Sequence, residues 1–234
     1  MRSAVILAGG LGTRLGALTA DGPKALIPVA GKPFIAYQLE LLQRQHFNRV
    51  VLCIGHYGKQ IKEYVGNGSR FGLEVLYSDE GARLLGTGGA LRKALPLLGD
   101  HFFVLYGDSY LPIDFLSVEA CFLANKQPAL MTVLKNDGLW DKSNVVFVEG
   151  QLLQYDKWCA NEQMRHIDYG LSIFSAEVFA SLEPESRFDL ADLFHDLVAR
   201  GQLLGHEVFQ RFYEIGSFAG LQDTINHFQS GGKQ

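Results

Sequence analysis

The chain has 234 residues, 47% of them hydrophobic and 20% charged, with a net charge of −4 at pH 7. This is the composition of a globular chain with enough apolar residues for one sizeable core, which excludes an intrinsically disordered protein. The negative balance gives no general attraction to nucleic acid or to an anionic membrane, so an anionic substrate has to be met by local positive groups.

Ala4 to Leu7 is a short apolar run closed by glycines and predicts a buried strand; it is too short for a secretory leader. Beyond a glycine-rich loop, Pro33 suits the first position of a helix, and Ile35, Leu39 and Leu42 recur at helical spacing. Val50 to Ile54 predicts a second buried strand, with Cys53 as a core thiol. Gln60 to Val65 predicts a helix and Leu73 to Tyr77 a third strand. Gly86 to Leu97 reads as a glycine loop that becomes a helix, and Phe102 to Tyr106 as a fourth strand. Strands alternating with helices imply parallel crossovers in an open α/β sheet.

From there the pattern changes. Ala129 to Leu134, Asn144 to Val148, Gln151 to Tyr155 and Asp168 to Phe174 are strand-like with less helix between them, and Gly150 supplies a hairpin turn. This predicts an antiparallel addition to a parallel core. Phe188 to Ala199 and Phe218 to Phe228 predict late helices, and the tail from Ser230 is expected to fray. There is no internal repeat, and no hexapeptide array follows the core. No run approaches the roughly 18 apolar residues that a membrane-crossing helix needs. Cys53, Cys121 and Cys159 lie far apart, form no metal pattern and fit a reducing cytoplasm. The seven histidines show no spaced pair typical of a metal site.

Chemistry concentrates first in Leu7-Ala8-Gly9-Gly10-Leu11-Gly12-Thr13-Arg14-Leu15, directly after the first strand. Ligands of open α/β sheets bind beyond the carboxyl ends of the strands, and glycines there let backbone N–H groups approach a phosphate chain. Arg14 adds a planar, permanently charged donor. A glycine string alone also makes plain turns. Next, Gly22-Pro23-Lys24-Ala25-Leu26-Ile27-Pro28-Val29 holds one lysine on a loop stiffened by two prolines. Gly107-Asp108 then places a carboxylate just past the fourth strand.

These strings, with Gly31-Lys32-Pro33, Leu85-Gly86-Thr87-Gly88-Gly89-Ala90-Leu91, Tyr106-Gly107-Asp108-Ser109, Asp168-Tyr169-Gly170 and Tyr213-Glu214-Ile215-Gly216-Ser217, resemble the signature of the sugar-nucleotide pyrophosphorylase family over nearly the whole chain. The resemblance implies a Rossmann-like α/β nucleotide-diphospho-sugar transferase fold in one domain, 1–234, with a nucleotide-binding half to 135 and a sugar-phosphate half from 136. It implies transfer of a nucleotidyl group from a nucleoside triphosphate to a sugar 1-phosphate with release of pyrophosphate, in the cytoplasm, with no nucleic acid or membrane partner and with a homodimer as an open option. Its heptose 1-phosphate guanylyltransferase members look nearest, which implies GTP and a heptose- or mannose-like sugar; muramic-type uridylyltransferases are runners-up.

On this resemblance Arg14, Lys24 and Asp108 are the catalytic residues. Leu7, Ala8, Gly9, Gly10, Gly12, Thr13, Arg14, Glu80, Gly86, Thr87 and Gly88 bind the nucleotide, with the Thr87 hydroxyl offered to base or ribose. Tyr110, Asn144, Lys157, Asp168 and Gly170 face the sugar phosphate, and Trp158 either packs on a sugar face or is core or interface. Asp108 and Glu214 are the Mg2+ ligands. Glu214 stands where many relatives have Asp; its extra methylene moves the carboxylate by roughly 1.5 Å, so either its loop compensates or it acts through water. Three other readings are a dehydrogenase with a Rossmann loop, a non-catalytic sugar-nucleotide sensor, and transfer to another phosphorylated acceptor such as an amino alcohol phosphate. Arg14 and Leu15 in place of the tail of a GxGxxG string oppose the first.

Overall fold

The computed structural model describes residues 2–10, 12, 15–16 and 22–231. In chain order the elements are β1 (Ser3–Leu7), β2 (Pro28–Val29), β3 (Lys32–Pro33), α1 (Phe34–Arg44), β4 (Arg49–Ile54), α2 (Gly58–Val65), β5 (Glu74–Asp79), α3 (Gly86–Ala94), β6 (His101–Tyr106), β7 (Ser109–Tyr110) and α4 (Phe115–Ala124). There follow β8 (Ala129–Lys135), β9 (Val145–Val148), β10 (Gln151–Tyr155), β11 (His166–Ser175), α5 (Glu177–Ala180), α6 (Leu190–Ala199), β12 (Leu203–Val208), β13 (Tyr213–Glu214) and α7 (Phe218–Gln229).

Two compact units are interleaved along the chain. The first comprises 1–84, 105–111 and 212–234, and the second 85–104 and 112–211. The halves expected to 135 and from 136 were assigned by function, whereas these compact units follow the packing.

In the first unit β1, β4 and β5 form a parallel ladder, with Ser3 opposite Arg49 and Arg49 opposite Glu74. Val5, Ile6, Val50, Val51 and Leu52 are fully buried. Such unbroken apolar runs belong to strands covered on both faces. Helix α1 buries Phe34, Ile35, Leu39 and Leu42 and, unusually, the amide of Gln38. The helix begins one residue later than expected, because Pro33 is extended (φ −58°, ψ 141°) and pairs with Pro28. At the other end of the chain, α7 lays Phe228 on the ring of Tyr37 (centroids 3.8 Å apart) and against Tyr110. A short antiparallel ribbon pairs Tyr213 with Tyr110 and Glu214 with Ser109.

In the second unit β8 lies between β12, parallel to it, and β11, antiparallel to it. The β9–β10 hairpin turns through Glu149 and Gly150, both at positive φ (49° and 81°). This is the backbone that tight hairpins require, and glycine supplies it at least cost. Phe102, Phe174, Phe179 and Phe194 form the aromatic centre, with ring centroids 5.4 to 6.4 Å apart.

Besides the two-residue strands β2, β3, β7 and β13 and the short helix α5, which the sequence reading did not include, the structure departs from it in three elements. Gly86, Gly88 and Gly89 are not a loop but the first turns of α3. Helix α4 and strand β12 were not expected at all. The signals for α4 are present, an Asp114 cap accepting from Leu116 N at 2.9 Å and an apolar Phe115, Val118, Phe122 stripe. In β12, Gly205 interrupts the strand pattern because a side chain there would strike the ring of Phe147.

Candidate functional site

In the first unit the end of β1 runs into the glycine loop. Ala8 N donates to Cys53 O (2.8 Å), and Gly107 N donates to Leu7 O (3.0 Å). A Cβ on Gly107 would lie 2.5 Å from Leu7 O, so the approach of the two strand ends depends on glycine. The carboxylate of Glu80, only 9% exposed, lies alongside: a Cβ on Gly9 would meet Glu80 Oε2 at 3.0 Å. Gly10 faces open space and Gly12 has φ 66°. Leu7, Ala8, Gly9, Gly10, Gly12 and Glu80 thus belong to one unit. Thr13 and Arg14 lie outside the described residues. Cys53 is fully buried, and desolvation, reinforced by the charge of Glu80, pushes its thiol far up, which makes it an inert core group.

Three charged side chains meet in the same unit. Lys24 opens a single 3-10 turn, Lys24–Leu26, entered through extended Pro23. Its Nζ donates to Asp108 Oδ2 at 2.9 Å, with the two side chains 14% and 27% exposed. Asp108 is fixed through its backbone as well, since Ile215 N donates to its carbonyl at 2.9 Å. The third group is Glu214 on β13. Its carboxylate accepts from the backbone N–H groups of Gly216 and Ser217 and from Ser217 Oγ. A Cβ on Gly216 would lie 2.7 Å from Glu214 Oε2, 3.2 Å from Asp108 Oδ2 and 3.5 Å from Lys24 Nζ. The three charged tips therefore surround the one space that Gly216 leaves open.

Two carboxylates and one ammonium leave this space net anionic. Oxygen donors of that kind fit Mg2+, which takes one or two carboxylates and completes its shell with substrate phosphates and water. No group of three or more His, Cys, Asp or Glu side chains suited to a metal occurs among the described residues. An ion held here would thus draw most of its ligands from substrate and solvent. Glu214 folds back onto Gly216 and Ser217, so its longer side chain turns onto its own loop.

Tyr110, expected on the sugar side, sits in this unit and is 5% exposed. Its hydroxyl accepts from Arg44 Nη2 at 3.0 Å, and burial raises its pKa despite the guanidinium. Ring packing and this hydrogen bond hold it in the core of this unit.

The remaining candidates lie in the second unit. Thr87, on the first turn of α3, donates to Asp189 Oδ1 (3.2 Å) and accepts from Leu190 N (2.8 Å). Its hydroxyl therefore serves the start of α6. Gly86 and Gly88 press on the Phe188 segment, where a Cβ on Gly88 would run into the Phe188 ring. Lys157, just past β10, donates to Asp189 Oδ2 at 3.1 Å, and its Nζ lies 5.0 Å from the centroid of the Trp158 ring. Asp189 caps α6 in a reciprocal capping box with Asp192. Burial opposes ionisation of Asp189, but the Ala191 N–H, the charge and hydrogen bond of Lys157 and the Thr87 hydroxyl together bring its pKa below the usual carboxylate value.

Asp189 was missed from sequence. Its Asp-x-x-Asp spacing with Asp192, just ahead of an apolar run, signals a helix start, but nothing local announces its bonds to Thr87 and Lys157. Beside it a cavity of about 310 Å³ is lined by Tyr155, Asp156, Lys157, Trp158, Ala191, Asp192, His195 and Asp196. Trp158 is 68% exposed. Asn144, Asp168 and Gly170 come together at an irregularity in β11: Asn144 Oδ1 accepts from Asp168 N, and Asp168 Oδ1 from Gly170 N, both at 2.9 Å. Gly170 has φ 100°, a conformation open to glycine.

The sequence profile of the family described as Nucleotidyl transferase matches residues 3–138. The chain is 32% identical over 217 residues to the UTP–glucose-1-phosphate uridylyltransferase of a Synechocystis strain; the match takes in 85% of this chain and 55% of that protein, so the chain spans little more than half its length. It is 28% identical over 195 residues to the D-glycero-alpha-D-manno-heptose 1-phosphate guanylyltransferase of Campylobacter jejuni, covering 82% of this chain and 85% of the relative. Among solved structures, HddC from Yersinia pseudotuberculosis complexed with GMP-PN superposes with a TM-score of 0.81 over 97% of this chain and 100% of that one, at 24% identity. At that identity the likeness is one of fold: mixed α/β, with a mostly parallel central sheet flanked by helices and a small antiparallel sheet.

Proposed function

Because the chain belongs to the nucleotidyl transferase family, we propose that it joins a nucleoside triphosphate to a sugar 1-phosphate and releases pyrophosphate. The observation that carries this reading is the convergence of Lys24, Asp108 and Glu214 on the space beside Gly216.

An oxygen of the sugar phosphate attacks the α-phosphorus of the nucleotide, the bond from that phosphorus to the β-phosphate oxygen breaks, and the electron pair leaves with pyrophosphate. A phosphate monoester is already anionic near neutral pH, so no protein nucleophile is required, and catalysis reduces to positioning and charge neutralisation. The loop from Leu7 to Gly12 offers backbone N–H groups to the phosphate chain. Lys24, stiffened by its 3-10 turn, neutralises charge at the α-phosphate. Asp108, with Glu214, holds Mg2+, which when bound supplies Lewis-acid stabilisation of the phosphate oxygens. Arg14 takes the departing pyrophosphate. Lys157, held by Asp189, is the group we assign to the sugar phosphate.

We further propose GTP and a heptose- or mannose-like sugar. This is supported by the name of the Campylobacter relative, matched over most of both chains, and by the GMP-PN bound to the fold neighbour. The cytoplasm, where nucleoside triphosphates are plentiful, is the proposed location. A panel of GTP, UTP, CTP and dTTP against heptose, mannose, glucose and N-acetylmuramate 1-phosphates, read by pyrophosphate release with and without Mg2+, tests all of this. Release with GTP and a manno-configured sugar supports the full reading. Release with another pair retains the reaction and replaces the substrates. No Mg2+-dependent release with any pair overturns the reading.

A further inference from the structure

We propose that Gln38 is a positioning residue for the Asp108 carboxylate. The inference rests on Asp108 as the metal-holding group. Gln38 is 0% exposed, on a face of α1 otherwise made of Phe34, Ile35, Leu39 and Leu42. Its Nε2 donates to Tyr106 O at 2.9 Å and to Ser109 O at 2.8 Å. Those two carbonyls bracket Gly107 and Asp108, so one amide grips the chain on both sides of the carboxylate-bearing residue. The orientation of the amide is not free: both partners are acceptors, and turning the oxygen toward them would set three oxygens against one another.

The other half of the side chain limits what this amide adds to stability. Gln38 Oε1 is buried and has no partner among the described residues. The unpaired acceptor weakens the fold and offsets part of what the two Nε2 hydrogen bonds contribute. The gain that offsets this is a fixed backbone at 106–109. Two further bonds complete the fixation, from Gly107 N to Leu7 O at 3.0 Å and from Ile215 N to Asp108 O at 2.9 Å. They tie the turn to the glycine loop and to the loop of Glu214, while Gln38 ties it to α1. With all four in place, the carboxylate projects from a segment that has little room to move. This is how outer partners of metal ligands act: they touch no metal, yet fix the ligand's direction.

The test compares Gln38→Met and Gln38→Glu, both near the original length and both without the amino donors, with the wild type and Asp108→Asn. Mn2+ binding is followed by titration in the absence of substrate, alongside the Mg2+ dependence of turnover and the melting temperature. Val65→Ala, a cavity on α2, serves as a destabilised control. The expected result is Mn2+ affinity about 10- to 100-fold weaker in the folded Gln38 variants, a higher half-saturating Mg2+ concentration, and kcat largely recovered at high Mg2+, with Val65→Ala binding Mn2+ as the wild type does. Should Gln38→Met fail to fold, Gln38→Glu carries the same reading. Wild-type Mn2+ affinity in a folded Gln38 variant, or an equal weakening in Val65→Ala, overturns the inference. If Asp108→Asn binds Mn2+ normally, the metal reading of Asp108 has failed and Gln38 falls with it; if only the Gln38 variants bind normally, the metal reading stands and the positioning role is lost.

Discussion

At the scale of single residues, Lys24 and Asp108 divide one task. The lysine holds the carboxylate at 2.9 Å, and both remain partly open to an incoming phosphate. Lys24→Met keeps the length and loses the charge; turnover should fall about 100- to 1,000-fold, the usual cost of one charge-stabilising donor. Asp108→Asn should fall at least as far, because several kcal/mol of metal stabilisation goes with it. Single-turnover assays on variants with wild-type circular dichroism check both, and turnover within tenfold of wild type would remove the roles assigned here. Lys24 and Asp108 were picked out because each sits in a distinctive local string, a lysine between prolines and a carboxylate straight after a strand, and the structure brings the two together. Asp189 was not legible, because its partners Thr87 and Lys157 are 102 and 32 residues away. The bonds of the Thr87 hydroxyl to the start of α6 were hidden for the same reason.

At the scale of elements, α3 and α6 brace each other through side-chain and backbone bonds that glycine makes room for. Gly88 N and Gly89 N both donate to Phe188 O, and Phe188 N returns the bond to Leu85 O at 3.0 Å. A glycine-rich string thus reads as loop when its local preference is taken alone, but closeness of packing makes it helix. Asp189 anchors the same junction, and its ionisation links the junction to pH. Because its pKa is lowered on folding, the ionised carboxylate adds stability above the unfolded carboxylate range, and this is lost as pH falls through the folded value. Asp189→Asn keeps a good N-cap and removes the charge. The variant should be less stable at pH 7 by no more than about 1 kcal/mol, given the exposure of the ion pair. The gap should shrink through acid pH and close once the wild-type carboxylate is protonated. Paired melting curves from pH 7 down to pH 3 check this, and a gap that stays constant with pH would deny the charge any part.

At the scale of the whole molecule, the order of strands and helices was legible, and the way the chain is shared out was not. The alternation of apolar runs with helical spacing marked β1, β4, β5 and β6 and the later hairpin. Nothing in a linear pattern shows that residues 212–231 return to complete the unit begun at the N-terminus. That return places Glu214 and Gly216 beside Lys24 and Asp108, and lays Phe228 on Tyr37. A fragment ending at 135 would therefore lack β13 and α7 from the first unit and most of the second. Expressed alone, residues 1–135 should show no cooperative melting transition, and a sharp one would mean that the N-terminal segment needs none of this closure.

Only two tryptophans occur in the sequence, and one of them, Trp158, stands largely in water with the Lys157 ammonium 5.0 Å from its ring. Ammonium groups near an indole alter its emission, and Lys157 is the group assigned here to receive the sugar phosphate. On that assignment the protein would carry an intrinsic optical reporter of its acceptor: the fluorescence of Trp158 should change as the lysine turns from ring and carboxylate to an arriving phosphate, and Lys157→Met should silence that signal without any dye or label.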